Sequence, residues 1–209
     1  MTRLLYIEAS PCRDGSRSAE VARAFLDAYV EAHPADRVET LNLWDAPLPA
    51  FDGNAAAARY AAAGGLPHTP AQAAAWEPIR ETFERFRSAD KYLFSVPMWN
   101  FGIPYVLKHY VDVLTLPGLA FRYAPDTGFE GLLEGRKAAV VYARAGAYAP
   151  GSGAEALDLQ RPYMETWLRF IGILEVEAIV VEPTMGDPAV VDRARAAARR
   201  AAVDLARRF

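Results

Sequence analysis

The residue types best suited to chemistry stand in one short turn of this chain. A predicted apolar strand, Lys91–Val96, precedes the turn and Pro104 opens a predicted helix after it; between them lie Pro97, Met98, Trp99, Asn100 and Phe101. In an open α/β sheet, ligands bind just beyond the carboxyl ends of the strands. Aromatic rings, an amide and closely approaching N–H groups at that place can hold a planar ring system with heteroatoms along its edge. We therefore predict a ligand at this turn.

A second segment, rich in hydroxyl groups, follows the first predicted strand. Ser10, Ser16 and Ser18 lie in it with Gly15 and Arg17, directly before a predicted helix. A helix N-terminus presents unpaired N–H groups and the positive end of the helix dipole, which favour a phosphate group. An ordinary capped turn is the alternative. Its place at the predicted switch point of the sheet favours phosphate binding.

Two further regions could complete a site. The fourth predicted strand ends, at the same edge of the sheet, in Ala143, Arg144, Ala145 and Gly146. A long insertion, residues 117–135, carries Tyr123 and Phe129, which suggest a lid or a subunit contact, with a small local hydrophobic cluster as an equal alternative. Trp167 and Phe170 lie three positions apart on a predicted helix, where core packing is the ordinary alternative to a pocket wall.

The sequence contains no recognisable acid–base or metal-binding set. No Ser-His-Asp set or carboxylate pair stands out, and the three histidines lack metal-ligand spacing. The pattern Gly-Ser-Gly-Ala-Glu-Ala at residues 151–156 matches a dinucleotide fingerprint but does not follow the first strand. We therefore expect no catalytic side chain and no metal, with the difficult chemistry carried by a cofactor.

Length and composition describe an ordinary globular protein. The chain has 209 residues, 52% of them hydrophobic, a formal net charge of −3 and one cysteine. Such a mild charge argues against nucleic acid as the main partner. One cysteine permits no internal disulfide and suits a reducing compartment. No apolar run approaches the length of about 18 residues that spans a membrane. We predict one domain, residues 1–209, in the cytoplasm, with no nucleic-acid or membrane partner.

The elements that position these segments alternate between strands and helices. The predicted strands are Arg3–Ala9, Arg37–Leu43, Tyr92–Val96, Lys137–Tyr142 and Val176–Val181. A helix follows each strand; the one before the third strand begins with a capping box formed by Thr69 and Gln72, and residues 45–67 are an excursion with one weak helix. Strands that are apolar throughout are typical of a parallel sheet with helices on both faces. We predict a flavodoxin-like, doubly wound α/β fold with strand order 2-1-3-4-5.

Nearly the whole chain resembles the FMN-dependent NAD(P)H:quinone oxidoreductases and azoreductases of the flavodoxin-like superfamily. The most specific match is Pro-Met-Trp-Asn-Phe-Gly-Ile-Pro-x-x-Leu-Lys-x-Tyr-x-Asp at residues 97–112. Ser10, Ser16-Arg17-Ser18, Ala-Phe-Arg-Tyr at 120–123 and Phe-Ile-Gly-Ile at 170–173 also fall where similar proteins have them. The resemblance implies a homodimer with one FMN per subunit near the interface. It also implies ping-pong hydride transfer from NADH or NADPH to the flavin, followed by two-electron reduction of a quinone or azo compound.

The same resemblance implies a role for each segment. Ser10 and residues 16–18 would hold the phosphate, residues 97–101 would surround the ring and ribityl chain, and residues 143–146 would meet the N5/O4 side of the ring. The substrate pocket would be walled by Tyr123, Phe129, Trp167 and Phe170.

One segment departs from the family pattern. Similar proteins usually have Ser-Arg-Gly-Gly where this chain has Ala143-Arg144-Ala145-Gly146. Ala143 lacks a hydroxyl donor, and Ala145 adds a Cβ and tolerates positive φ poorly.

Three other functions stay open from the residues. One is an NADPH-dependent FMN or chromate-type reductase, although such proteins tend to have Glu-Tyr-Asn where this chain has Met98-Trp99-Asn100. Another is a flavodoxin-like electron carrier that does not itself oxidise NAD(P)H. The third is a flavin-binding or nucleotide-sensing module without turnover.

Overall fold

A five-stranded parallel sheet forms the centre of the protein in the computed structural model, which describes residues 1–12 and 15–209. The strands of this part of the chain are β1 (Arg3–Glu8), β2 (Arg37–Asn42), β3 (Lys91–Pro97), β4 (Phe121–Ala124), β5 (Gly128–Gly131), β6 (Lys137–Ala143) and β7 (Glu175–Val181). The order across the sheet is β2-β1-β3-β6-β7. The five-stranded parallel sheet is confirmed, and the predicted fourth and fifth strands are β6 and β7, because β4 and β5 form a separate pair.

Helices cover both faces of the sheet, as predicted. They are α1 (Arg17–Ala32), α2 (Gly53–Ala63), α3 (Pro70–Arg87), α4 (Tyr105–Leu114), α5 (Gln160–Phe170) and α6 (Pro188–Arg208). Along β1, Leu4 and Tyr6 pack with α1 and α6, whereas Leu5 and Ile7 pack in the core formed with α2 to α5. The central strands are apolar on both sides because neither side meets water. No helix of the described ranges combines the length and apolarity needed to cross a membrane.

Local capping fixes where the helices of the second crossover begin. The predicted capping box is present: the Thr69 N–H donates to Gln72 Oε1 at 2.9 Å, and the Gln72 N–H donates to Thr69 Oγ1 at 3.3 Å. The weak helix expected within residues 45–67 is α2, which begins where the Asp52 carboxylate accepts from the N–H groups of Asn54 and Ala55.

The insertion at residues 117–135 folds as an antiparallel hairpin of β4 and β5, which the sequence reasoning did not predict. The first residue of β5, Gly128, has φ +77°, a conformation that favours glycine and is frequent where a hairpin loop meets its second strand. Gly131 lies directly on Gly172, so that a Cβ at Gly131 would stand 2.1 Å from the Gly172 nitrogen. Gly172, with φ +101°, ends α5 as expected, and this contact seats the hairpin at that end of the helix.

The register of the sheet brings the chemically interesting segments to one edge. Glu8 pairs with Ser95, and Pro97 pairs with Ala143, so the chain leaves β1, β3 and β6 at the same carboxyl edge. Because β3 and β6 are parallel neighbours, α4 must run from this carboxyl edge back toward the opposite, amino edge. The hairpin that follows α4 and contacts the end of α5 therefore lies toward the amino edge.

Candidate active site

The turn at residues 98–102 is anchored at its base and strained at its tip. The Met98 N–H donates to the Ala143 carbonyl at 2.8 Å, and Trp99 and Gly102 exchange two hydrogen bonds of 2.9 and 3.0 Å. At the tip Asn100 has φ 47° and Phe101 has φ 72°. Left-handed backbone costs a residue such as Phe roughly 1–2 kcal/mol, and such strain concentrates at functional sites. The hydrogen bonds found in the described ranges leave the N–H groups of Asn100 and Phe101 without an acceptor.

Two aromatic residues that the sequence reasoning missed pack around this turn. Trp44 follows β2 and lies with its ring centroid 5.7 Å from that of Trp99 and 5.3 Å from that of Tyr105. Its Nε1–H donates to the carbonyl of Ala9 at 3.0 Å. The sequence could have indicated Trp44 only by its position, because a residue that directly follows β2 lies at the same carboxyl edge as the turn.

An open groove adjoins the turn on the side of α4. Its volume is about 610 Å³, and it is lined by Phe51, Trp99, Asn100, Ile103, Tyr105, Lys108, His109 and Asp112. Lys108 and Asp112 form an ion pair on the exposed face of α4, as the sequence suggested. His109 is hydrogen-bonded through Nε2 to the carbonyl of Pro49 at 2.8 Å, which ties the segment after β2 to α4. The groove thus has aromatic walls and a charged rim.

The serine segment stands beside the start of α1, with Arg13 and Asp14 outside the described residues. Ser16 is the N-cap: its Oγ accepts from the Ala19 N–H at 3.2 Å and lies 3.2 Å from the Oγ of Ser18. Ser10 Oγ accepts from the Cys12 N–H at 3.4 Å. The three serines are buried, Ser18 completely, whereas Arg17 is exposed. Since the first turn of a helix lacks intrahelical acceptors, the N–H groups of Arg17 and Ser18 are free to meet an anion.

Arg144 turns its side chain into the protein, where all three nitrogens are engaged. Nε donates to Gln160 Oε1 at 3.1 Å, Nη1 to Glu182 at 3.2 Å and Nη2 to Asp158 at 2.7 Å. Only 3% of the side chain is exposed. The Arg144 N–H donates to the Val181 carbonyl, and the Arg144 carbonyl accepts from the Thr184 N–H. Residues 143–146 were predicted to contact the ligand, but the Arg144 side chain is not available for such a contact.

The next two residues of that loop are exposed and present main-chain groups. Neither Ala145 nor Gly146 has a positive φ, so the alanine at position 145 has no left-handed strain. The Ala145 carbonyl accepts from the Met185 N–H at 3.3 Å, while no acceptor for the N–H groups of Ala145 and Gly146 is found in the described part of the chain. Ala143 is buried, with its carbonyl bonded to Met98.

Three of the four predicted wall residues come together, but away from the turn. The ring centroids of Tyr123 and Phe129 are 5.1 Å apart, and those of Phe129 and Phe170 are 5.6 Å apart. This hairpin cluster lies toward the amino edge, separated from Trp99 by the length of α4, about 15 Å for ten residues. Trp167 is 5% exposed and belongs to the core, with its Nε1–H donated to Thr115 Oγ1 at 3.0 Å.

Two buried tyrosines near the carboxyl edge, Tyr6 and Tyr142, are poor acids. Burial raises the pKa of Tyr6 far above its ordinary value, although its hydrogen bond with Ser95, at 2.9 Å, opposes the shift. Burial likewise raises the pKa of Tyr142. Both phenols stay neutral across the physiological range. Within residues 1–12 and 15–209, no group of three or more His, Cys, Asp or Glu side chains could hold a metal ion.

Comparison with known proteins places the chain in a family. Residues 2–205 match a family model described as a flavodoxin-like fold, Flavodoxin_2. An FMN-dependent NADH:quinone oxidoreductase of Burkholderia lata is 51% identical over 200 residues, covering 94% of this chain and 95% of that protein. Another, from Desulfotalea psychrophila, is 46% identical over 207 residues, covering 99% and 97%.

Solved structures give the same result. An azoreductase from Bacillus anthracis str. Sterne has a TM-score of 0.93 at 31% identity, with both chains fully covered. An FMN-dependent NADH-azoreductase from Bacillus anthracis str. Ames Ancestor, solved in complex with FMN, has a TM-score of 0.85 at 30% identity, covering 99% of this chain and 100% of that one. This chain therefore belongs to the flavodoxin-like fold family and, within it, to the FMN-dependent NADH:quinone oxidoreductases and azoreductases.

Proposed function

We propose that this protein binds FMN and uses NADH or NADPH to reduce quinones and azo compounds by two electrons. The observation that carries the proposal is the meeting of three donor-bearing segments at one carboxyl edge. These segments are the serine segment at the start of α1, the strained turn at residues 98–102, and the exposed N–H groups of residues 145 and 146. The names of the relatives, which include FMN, NADH, quinone and azo reduction, support the same conclusion.

The residues present fit FMN. The dianionic phosphate would meet the N–H groups of Arg17 and Ser18 and the hydroxyls of Ser10 and Ser16 at the positive end of α1. The planar ring would lie against Trp99 and the tip of the turn, where Met98 is half-buried and the other side chains are exposed. The alanine at position 145 fits as well, because its backbone is unstrained.

The chain's own residues supply binding, orientation and exclusion of water. Bound FMN would supply the hydride-accepting and hydride-donating centre. The N–H groups of Asn100 and Phe101 would stabilise negative charge on the ring edge that they face, because preorganised donors need no rearrangement. Trp44, Trp99 and Tyr105 would keep water from one side of the site. No side chain is proposed as an acid or base, since solvent can protonate the product.

A second copy of the chain completes the proposed site. Within one chain the hairpin cluster lies at the opposite edge from the turn, so Tyr123, Phe129 and Phe170 cannot wall the pocket beside their own Trp99. A two-fold related copy could bring its cluster to this turn, as the two copies of a symmetric dimer present the same surface to each other. The exposed fractions of Tyr105 (70%), Tyr123 (63%) and Phe129 (64%) fit an apolar face that a homodimer would cover. Trp167 remains a core residue in this proposal.

The proposal also concerns the extent and location of the protein. All of residues 1–209 would act as one FMN-binding domain. The single cysteine, which permits no internal disulfide, fits the reducing cytoplasm.

The decisive experiment is an absorbance spectrum of the purified protein followed by anaerobic mixing with NADH and, separately, NADPH. We expect a flavin spectrum, rapid bleaching by the pyridine nucleotide alone, and turnover when a benzoquinone or an azo dye is added. An absence of flavin after incubation with FMN would contradict the proposal.

The other functions predict different results. A flavodoxin-like carrier would bind FMN but would not be reduced by NADH or NADPH alone. An NADPH-dependent FMN or chromate-type reductase would prefer NADPH and free FMN or chromate over quinones. A non-catalytic flavin-binding module would show no turnover with any acceptor.

A further inference from the structure

We infer that Arg144 is a positioning residue that holds the two ring-facing loops of the proposed flavin site in register. The inference rests on the proposed function for the identity of the ligand. The positioning role itself is argued from the geometry of one buried cluster, which is formed by Arg144, Asp158, Gln160 and Glu182.

The cluster braces the 145–147 loop at both ends. Glu182 Oε2 accepts from Arg144 Nη1 at 3.2 Å and from the Tyr148 N–H at 3.1 Å. The residues between these two anchors are exposed, and they carry the N–H groups that are open to a ligand. Arg144 thus fixes the base of the exposed loop, although its own side chain is buried.

The same cluster reaches the turn at residues 98–102 by two connections. Gln160 uses Oε1 to accept from Arg144 and uses Nε2 to donate to the Val96 carbonyl at 2.9 Å, just before the turn. Asp158, the second partner of Arg144, accepts from the N–H groups of Gln160 and Arg161 at the start of α5. Leu159, which lies between Asp158 and Gln160 in the sequence, donates its N–H to the carbonyl of Phe101 at 3.0 Å.

Charge makes Arg144 the centre of this arrangement. The carboxylates of Asp158 and Glu182 are 13% and 12% exposed and both contact the one guanidinium. Removing the guanidinium would leave two mostly buried carboxylates facing each other without their cation, which is costly. The α5 start and the segment after β7 would then separate, and both ring-facing loops would lose their common support. A lysine keeps the charge but has no planar fork to serve three acceptors.

The test compares R144Q and R144K with R87Q, a control that removes an exposed arginine paired with Glu84 on α3. The readouts are the FMN dissociation constant, the visible spectrum of bound FMN, and amide hydrogen exchange of the flavin-free chains. For R144Q we expect FMN binding at least tenfold weaker and an altered flavin spectrum. We also expect at least tenfold faster exchange of the hydrogen-bonded amides of Trp99, Gly102 and Tyr148. R144K should lie between R144Q and the wild type, and R87Q should match the wild type.

Wild-type affinity, spectrum and exchange in a folded R144Q would overturn the inference. If R144Q does not fold, Q160M decides: it removes the hydrogen bond to Val96 and the acceptor of Arg144 Nε while keeping the guanidinium. It should speed exchange of the hydrogen-bonded amides of Trp99 and Gly102. Unchanged exchange in Q160M would overturn the inference. If the wild-type protein does not bind FMN, the proposed function fails, whereas exchange in the flavin-free variants still tests the role of Arg144.

Discussion

The indole of Trp44 packs against that of Trp99, with the ring centroids 5.7 Å apart and the ring planes inclined by 50°. Trp44 is fixed in turn to the end of β1, because its Nε1–H donates to the carbonyl of Ala9. The segment after β2 therefore supports the turn after β3 and ties it to the strand that leads into the serine segment.

Replacing Trp44 should weaken flavin binding through this support. We expect W44A to lose about 2–3 kcal/mol of unfolding free energy and to bind FMN at least fivefold more weakly, since a half-buried ring and its hydrogen bond are removed. W44F, which keeps a ring but not the donor, should lose about 1 kcal/mol. Urea unfolding and FMN fluorescence quenching measure the two effects. L66A, at a side chain 64% exposed, is the control and should change neither.

The serine segment allows the helix cap to be separated from the ligand. Aspartate caps a helix about as well as serine, but Ser16 is buried, so S16D should keep the start of α1 and lose about 1–2 kcal/mol of unfolding free energy. The added carboxylate would repel the FMN phosphate and weaken binding at least tenfold. T69D introduces an aspartate at the exposed N-cap of α3 and should leave FMN affinity unchanged. Tight FMN binding by S16D would place the phosphate elsewhere.

The strained tip of the turn predicts a contrast at Asn100. Alanine tolerates φ 47° less well than asparagine, so N100A should lose about 1 kcal/mol of unfolding free energy, whereas N100G should stay within about 0.5 kcal/mol. N100G should also bind FMN within about threefold of the wild type if main-chain N–H groups supply the contact. A loss of more than tenfold in N100G would assign the contact to the side-chain amide instead. N54A, in the exposed first turn of α2, is the control.

Restoring the glycine typical of similar proteins at position 145 should bring little gain. Ala145 is not in the left-handed region, so A145G relieves no strain and should cost about 0.5–1 kcal/mol of unfolding free energy through the freedom of the unfolded chain. FMN affinity should change by less than about threefold, as measured by fluorescence titration. Binding that became tenfold tighter would mean that the alanine Cβ obstructs the ring.

A shared site predicts complementation between two defective chains. Neither S16D, which would bind FMN weakly, nor F129A, which would lack a wall residue, should reduce quinone well alone when free FMN is kept below the dissociation constant of S16D. After subunit exchange between equal amounts, the mixed dimers would contain one intact site, and activity should reach about a quarter of the wild-type value. Each variant incubated with itself is the control. If the wall belonged to the same chain as the flavin, mixing would restore nothing.

Much of this fold could be predicted from local patterns. Apolar strands between amphipathic helices indicated the parallel sheet, and the capping box at Thr69 marked the start of α3, because both signals depend on nearest neighbours along the chain. The hairpin of β4 and β5 was missed: its strands are short, only partly buried and separated from the main sheet, so their pattern is weak.

Position along the chain also located the three segments of the candidate site, since the carboxyl ends of parallel strands must meet at one edge. The sequence could not reveal the direction in which a side chain points after it leaves that edge. Arg144 turns inward because Asp158, Gln160 and Glu182, distant in sequence, enclose it. Phe170 and Tyr123 lie toward the opposite edge of the sheet from Trp99, because α4 spans the height of the sheet. Residue types and spacing therefore predicted the edge of the sheet at which the candidate site lies, and only packing between distant segments decided which groups remain open to a ligand there.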